Sequence, residues 1–407
     1  MNPPEWITRP YIEKSLRKGL HLPNLKIREC KISQATNVGD HYSSLMLQGL
    51  LTIQKNKEES EENLSVIIKI PPPGTYMERT RDLKPFGREI SMFTKILPKM
   101  NELLLKAFPD HEKLYAECYF GEEKTAQESI LILEDLRQSG FILNNQSEGL
   151  DMDHTTLVLK SLAKLHAFSL IVVDNDPEII DLYDKYQWSP GHEDLCGNIF
   201  RRAVHVVGEV IKRWENEPKK EIYYRKIKAL EEIIVEKIIN IFKRDVTKIN
   251  VICHGDAWIT NMLFRYDNNN QVNGMKFLDF QLAHYNNPVF DLIFFIFTTS
   301  QNRFDNIDPL LKIYHDAFME TINKLDYQLK KPFSLEILKN EFKNQLFYGL
   351  AISLSGLPAT PTKSSDDPKM DVMLDDSGSL DERLYNSKML SRSLKVVLPY
   401  FERLGVF

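Results

Sequence analysis

Cysteine is scarce in this chain. Four stand in 407 residues, at positions 30, 118, 196 and 253, and no two share a C-x-x-C spacing. That pattern excludes a disulfide framework and a zinc ribbon, and it predicts a reducing, cytoplasmic location. An excess of positive charge is missing too. With 52 lysines and arginines against 57 aspartates and glutamates, the net charge of −5 gives no support for a nucleic-acid partner. Long hydrophobic runs are absent as well. The most apolar stretch, Val289 to Phe297, carries Asp291 and falls far short of the ~20 residues a spanning helix needs, so no membrane partner is expected. The opening MNPPEWITRP lacks the basic start and apolar run of a signal peptide. No internal repeat stands out. What remains is an ordinary globular composition, 43% hydrophobic and 27% charged, at a length that predicts two lobes.

The informative residues are concentrated between Val251 and Phe297. Val251-Ile252-Cys253 is a short apolar run that delivers His254-Gly255-Asp256 to a polar loop. Asn261 follows Asp256 at i+5, just before the apolar Met262-Leu263-Phe264. A turn-rich segment, Asp267 to Gly274, returns the chain into Met275-Lys276-Phe277-Leu278, which ends on Asp279. Asp256, Asn261 and Asp279 therefore stand at the ends of two strands able to pair as a hairpin. Converging oxygen ligands suit a hard, hydrated cation such as Mg²⁺. A carboxylate held nearby can accept a proton from an attacking hydroxyl, and these are the parts of phosphoryl transfer. The alternative is two unrelated Asp-containing turns on a core hairpin. Cys253 next to His254 raises a soft-metal pair, but adjacent strand side chains face opposite ways and no other ligand has a matching spacing.

Upstream, Glu5 to Gly19 has the spacing of an amphipathic helix, and the texture turns to strand from Lys26. Ala35 to Ser44 is a loop of small polar residues that includes Gly39 and Ser43; Leu45 to Ile53 then alternates apolar and polar. Ser65 to Ile70 is a third strand, ended by three prolines. Strand, small-residue loop and strand can cover a triphosphate with backbone N–H groups, the alternative being an ordinary hairpin turn. Lys69 lies in that apolar third strand, where an ammonium is costly unless paired. A helix predicted over Thr80 to Leu97 offers Glu89, on one face with Met92 and Phe93. The alternative is a snorkelling lysine and a solvated glutamate.

HGDAWITNMLF followed by KFLDFQ resembles the catalytic and metal loops of the aminoglycoside/choline kinase group. The tryptophan, the Asp-Phe-Gln and the later NNPVFDLIFF look most like its ecdysteroid kinase-like branch, and the similarity runs from about Asn24 to Phe407. The resemblance implies an α+β, bilobal protein-kinase-like fold. Residues 1–135 would form an antiparallel β-sheet N-lobe that binds ATP. Residues 136–407 would form a larger, mostly α-helical C-lobe with catalytic loop, metal site and acceptor pocket. It further implies Asp256 as the base, Asn261 and Asp279 as Mg²⁺ ligands, and Lys69, fixed by Glu89, on the phosphates of ATP.

Glu134-Asp135-Leu136 follows the apolar Ile130 to Leu133 and resembles the family's hinge. The Glu134 carbonyl and the Leu136 N–H would point the same way in an extended segment and meet the adenine edge. The register is open by one residue, and an acidic strand-end turn is the alternative. LAKLHAFSL resembles a helix beneath the catalytic loop, with His166 a packed or hydrogen-bonded core residue, and Asp291 resembles an aspartate that braces that loop. In this family, helical Glu178 to Phe242 and the helices after Asp291 (Leu310 to Leu325, Leu335 to Ser355, Asp381 to Leu404) wall an enclosed acceptor pocket beside the base. Trp188, Tyr223 and Tyr224 could contribute, although aromatics at helical spacing are more often core. Residues 357–380, rich in Pro, Ser and Asp, read as a loop.

Three departures separate the chain from protein kinases. No arginine stands between His254 and Asp256, the metal motif ends in Gln281 rather than glycine, and no Ala-Pro-Glu follows. They favour a small-molecule acceptor, and the resemblance implies a hydroxylated, apolar one such as an arthropod steroid or a hydroxylated foreign compound. A catalytically silent ligand- or nucleotide-binding protein and a protein kinase are the competing readings.

Overall fold

The computed structural model describes residues 3–35, 44–71, 83–124, 128–144, 149–301, 304, 307–356 and 388–407. Gly39, Ser43, the first turn of the helix expected from Thr80, residues 357–380 and the start of the helix expected from Asp381 lie outside them. Two compact units divide the chain. One comprises Met1–Leu143 with Asn261–Leu282, the other Asn144–Thr260 with Ala283–Phe407. The sequence reading divides the chain at residue 135. The structure groups the later Asn261–Leu282 segment with the N-terminal unit instead, because its hairpin pairs with strand there.

The first unit is built on a five-stranded antiparallel sheet, β1 (Lys26–Gln34), β2 (Leu45–Gln54), β3 (Glu62–Ile70), β4 (Cys118–Glu122) and β5 (Ile130–Glu134), in the order β1-β2-β3-β5-β4. Strand alternation sorts β3 into two faces. Val66, Ile68 and Ile70 are buried against Ile12 and Leu16 of helix α1 (Arg9–Gly19). Ser65, Ile67 and Lys69 take the opposite face. Helix α1 begins four residues later than expected from Glu5, because Thr8 supplies the cap that Tyr11 N–H needs and Pro10 fits the first turn.

The expected helix around Glu89 is interrupted. α2 (Pro85–Ser91) passes through a wider turn over Met92–Ile96 before α3 (Leu97–Ala107). Pro98 has no N–H to continue the regular ladder, and the Leu97 N–H reaches back to the Met92 carbonyl. A second sheet of order β6-β8-β9 joins β6 (Ile142–Leu143), β8 (Met262–Tyr266) and β9 (Val272–Phe277). β8 and β9 form the expected hairpin, with Leu263 opposite Lys276. Its turn is set by Asp267, whose carboxylate accepts from the N–H groups of Asn269 and Gln271.

The second unit is mostly helical, as expected. Its short antiparallel pair, β7 (Val251–Cys253) with β10 (His284–Asn286), sets Cys253 opposite His284. The long helix α4 (Met152–Asn175) packs on β7 and on α10 (Asp308–Lys324). In length and composition α4 would suffice to cross a membrane, unlike the shorter Val289 to Phe297 singled out from the sequence, but most of its length is buried inside this unit. Between them run α5 (Ile180–Tyr183), α6 (Glu193–Cys196), α7 (Arg202–Lys212), α8 (Lys220–Ile241) and α9 (Val289–Thr299). The single helix expected over Leu335 to Ser355 breaks at Gln345 into α11 (Leu335–Asn344) and α12 (Leu346–Gly356), and α13 is Lys388–Arg403. Trp188 and Tyr223 are buried among other side chains, which agrees with their reading as core.

The two-faced β3 gives a direct stability test. Ile68→Ala, at a position with no exposure, is expected to cost about 2–5 kcal/mol. Leu50→Ala on the neighbouring strand, at a position 44% exposed, is expected to change stability by about 0.5 kcal/mol or less. Denaturant unfolding of the two variants measures both.

Candidate active site

Lys69 stands at the end of β3, on the face away from the aliphatic core. Its Nζ lies 2.8 Å from Glu89 Oε1, 2.7 Å from Glu89 Oε2 and 3.2 Å from Asp279 Oδ1. Glu89 reaches it from α2, where Phe86 and Ile90 bury the same segment. Asp279 follows β9 with a left-handed backbone, φ +60, a conformation uncommon for residues other than glycine and typical of functional turns. Asn261 belongs to the same end of the hairpin, because its carbonyl accepts from Leu278 N–H at 2.9 Å. Lys69, Glu89, Asp279 and Asn261 are thereby gathered in one unit.

In this cluster one cation faces two carboxylates, nearly all of it out of water. Burial weakens the Lys69 charge, but Asp279 and Glu89 outweigh it and hold the ammonium above its ordinary range. Burial pushes the Glu89 carboxyl up to about 7, against the pull of Lys69 and with Asp279 adding to the rise. The surplus is negative. Gln281, also buried, contributes no charge, so the excess falls on the two acids. A divalent cation bound by oxygen donors would offset it, and the Asp279 carboxylate and the Asn261 amide are donors of that kind.

The hinge segment passes from strand into a turn. Glu134 closes β5 with its N–H donating to the Glu117 carbonyl, while its carboxylate accepts from Glu117 N–H and Ser139 Oγ. Asp135 keeps the extended conformation on which the expected directions of the Glu134 carbonyl and Leu136 N–H depend, and Leu136 then opens a tight turn over Leu136–Ser139, closed by Gly140 at φ +78. The cause is Asp135. Its buried carboxylate caps that turn at Arg137 N–H and accepts from Arg137 Nε (2.7 Å), Arg137 Nη2 (2.8 Å), Ser65 Oγ (2.7 Å) and Gln48 Nε2 (3.1 Å). Burial opposes its charge, but Arg137 and Ser65 together hold its carboxyl below the usual range.

In the second unit the loop after β7 is held by its backbone. Asp291, third residue of α9, accepts from His254 N–H at 2.6 Å and Gly255 N–H at 2.9 Å. The bracing role expected of it is the one it takes. His166 Nε2 is 3.0 Å from the same carboxylate, and His166 Nδ1 is 2.8 Å from the Tyr314 hydroxyl on α10. Although burial pushes Asp291 up, the His166 hydrogen bond and nearby imidazoles hold its carboxyl below the ordinary range. Tyr314 is driven far above its ordinary value by burial and keeps its proton. Asp291, held ionised, can only accept, so the proton between it and His166 sits on His166 Nε2. His166 is the hydrogen-bonded core residue expected.

Gly255 has φ +81, which admits little but glycine. It sets Asp256, whose N–H donates to His254 Nδ1 at 3.3 Å. His166, Cys253 and Asp291 bring ligand atoms within 4.8 Å of one another. The Cys253 thiol is spent on the carbonyls of Asn286 and Asn287, and burial pushes it well above its usual value. Among the described residues His254 takes no part in that trio.

Sequence reasoning missed Tyr314, Arg137 and Tyr186. A tyrosine at helical spacing signals only core, and an arginine two residues from an aspartate signals only surface charge.

A carboxyl that titrates higher in the folded chain than in the unfolded one binds more protons when folded. Stability from Glu89 is then complete below its ordinary value of 4.5 and is lost as pH rises through about 7. Glu89→Gln removes the titration. Wild-type melting temperature should therefore decline relative to the variant between about pH 5 and pH 8; parallel melting curves across that range would remove the charge surplus.

The model of the ecdysteroid kinase-like family matches residues 38–327, most of the chain and a span that contains the site residues named above. A sequence search of curated proteins finds no match. Among solved structures 38 chains match. One is a Ralstonia eutropha JMP134 protein described as a candidate aminoglycoside phosphotransferase, 13% identical, with a TM-score of 0.44 over 98% of this chain and 97% of that one. The chain belongs to the ecdysteroid kinase-like family, a kinase-like phosphotransferase family.

Proposed function

We propose that the chain is an ATP-dependent small-molecule kinase that transfers the γ-phosphoryl group to a hydroxyl of an apolar acceptor, an ecdysteroid or a hydroxylated foreign compound. The observation that carries the reading is the buried Lys69–Glu89–Asp279 cluster with its surplus of negative charge. A buried lysine between two acids is a costly arrangement for a structural role, and one acid at a left-handed turn adds strain. Both costs are understandable where a phosphate and a divalent cation are to be bound together.

In this reading Asp256 orients the acceptor hydroxyl and takes its proton. Lys69, fixed by Glu89, steadies the phosphates. Asp279 and Asn261 hold Mg²⁺, with Asp279 the stronger ligand because it is anionic. Mg²⁺ supplies charge neutralisation of the phosphates. Glu134 and Leu136 face the adenine, with Leu136 N–H at the start of a turn rather than in a strand. Gly39 and Ser43 cover the triphosphate. The acceptor pocket draws on the helical segment after α4 and on the helices after α9.

Asp256→Asn is expected to lower turnover roughly 10²- to 10⁴-fold while ATP and Mg²⁺ still bind, since proton acceptance is what is lost. Wild-type turnover in that variant, measured by ADP release, would remove Asp256 from the chemistry. Asp279→Ala is expected to weaken Mg²⁺-dependent nucleotide binding by more than about tenfold, and Asn261→Ala by less. Calorimetric titration with MgATP ranks the two, and the reverse order would exchange their roles.

A further inference from the structure

Tyr186 lies in the segment between α5 and α6, outside every motif that the sequence reading singled out. Its backbone is locked in a small turn: Tyr186 N–H donates to Ser189 Oγ at 2.8 Å, and Ser189 N–H returns to the Tyr186 carbonyl at 2.9 Å. Its ring stacks on His284 at 3.8 Å between centroids and on Phe242 at 5.1 Å, with the edge of Trp188 at 6.0 Å. His284 is paired with Cys253, the residue from which the catalytic loop departs. The hydroxyl, fully withdrawn from water, donates to the Gly255 carbonyl at 2.8 Å and accepts from Gln187 Nε2 at 3.2 Å.

Packing alone does not account for that hydroxyl. A phenylalanine would stack on His284 and Phe242 equally well and would bury no polar atom. What the oxygen adds is a hold on the peptide joining Gly255 to Asp256. Glycine has no intrinsic preference between the two signs of φ, so a loop that places its carboxylate after a glycine needs an outside hold on that peptide. Here both ends are held, the carbonyl by Tyr186 and the Asp256 N–H by His254 Nδ1. The N–H groups of His254 and Gly255 are already bound to Asp291. Tyr186 therefore adds a contact at the Gly255 carbonyl to a loop whose neighbouring N–H groups are held by Asp291 and His254. Burial and then the Asp256 charge push its phenol far above the ordinary value, which keeps it a donor and marks Asp256 as a close electrostatic neighbour.

We propose that Tyr186 is a positioning residue for Asp256: its hydroxyl fixes the Gly255–Asp256 peptide and so the direction from which the carboxylate meets the acceptor hydroxyl. This rests on the proposed role of Asp256 as base. The ring and the hydroxyl have separable duties, the first structural and the second directional.

The test uses the full chain, with MgATP as probe and water as acceptor. Tyr186→Phe is expected to lower kcat for ADP release about tenfold, with KM for ATP changed by less than about twofold. Hydrogen exchange in the peptide spanning Cys253 to Asn261 should become faster, with the melting temperature nearly kept. Tyr186→Leu removes the ring as well and should lower the melting temperature. Unchanged kcat and unchanged loop exchange in Tyr186→Phe overturn the proposal. So does a joint loss of kcat, ATP affinity and melting temperature, the signature of a purely structural residue. Asp256→Asn is run beside it. Full ADP release there counts against the proposed function, while loop exchange in Tyr186→Phe still decides whether the hydroxyl holds the loop.

Discussion

A lysine buried between two carboxylates is the constraint on which the first unit depends. Removing an ammonium from water costs several kcal/mol by order of magnitude, and the cost is met only if partners are held in place. Glu89 is held by a helix whose neighbours Phe86 and Ile90 are core. Asp279 is held by a hairpin end turned into a left-handed conformation. Sheet, helix and hairpin therefore meet at a single ammonium. The arrangement leaves one carboxylate in excess, and burial, with Asp279 adding to it, raises Glu89 toward neutrality.

The second unit applies a different rule to its own loop. There the backbone is fixed rather than the side chains: successive N–H groups of His254 and Gly255 end on Asp291, and Asp291 is steadied through His166 by Tyr314. An ionised carboxylate with three donors is well satisfied even without water. The backbone that carries Asp256 is then fixed before any ligand arrives; under the proposed function this is the preorganisation that phosphoryl transfer requires, since the protein contributes position and charge rather than covalent chemistry.

Much of this was legible in the residues, for physical reasons. Lys69 could be paired with Glu89 because a charge in an apolar strand demands a partner. The β8–β9 hairpin followed from Asp267 and its turn, and the brace at Asp291 from an aspartate amid large apolar side chains. Other features left no local signal. The contact between Asp279 and Lys69 depends on a left-handed turn that Asp-Phe-Gln does not announce. The turn at Leu136 depends on Asp135 being claimed by Ser65 and Gln48, residues 70 and 87 positions away in the chain. The wide turn after Ser91 reflects Pro98, legible as a helix start but not as a disturbance of the preceding helix. Tyr186 and Tyr314 act through single hydroxyls, and nothing in a sequence separates such a tyrosine from one that merely packs.

The central claim is transfer of a phosphoryl group from ATP to a small hydroxylated apolar molecule. It is tested most directly by incubating the full chain with MgATP and a mixture of ecdysteroids and hydroxylated aromatic compounds, and reading products by mass spectrometry. The account predicts an ATP-dependent gain of one phosphoryl group on a member of that mixture, absent with Asp256→Asn. Phosphate appearing on added proteins and on none of the small molecules would contradict it.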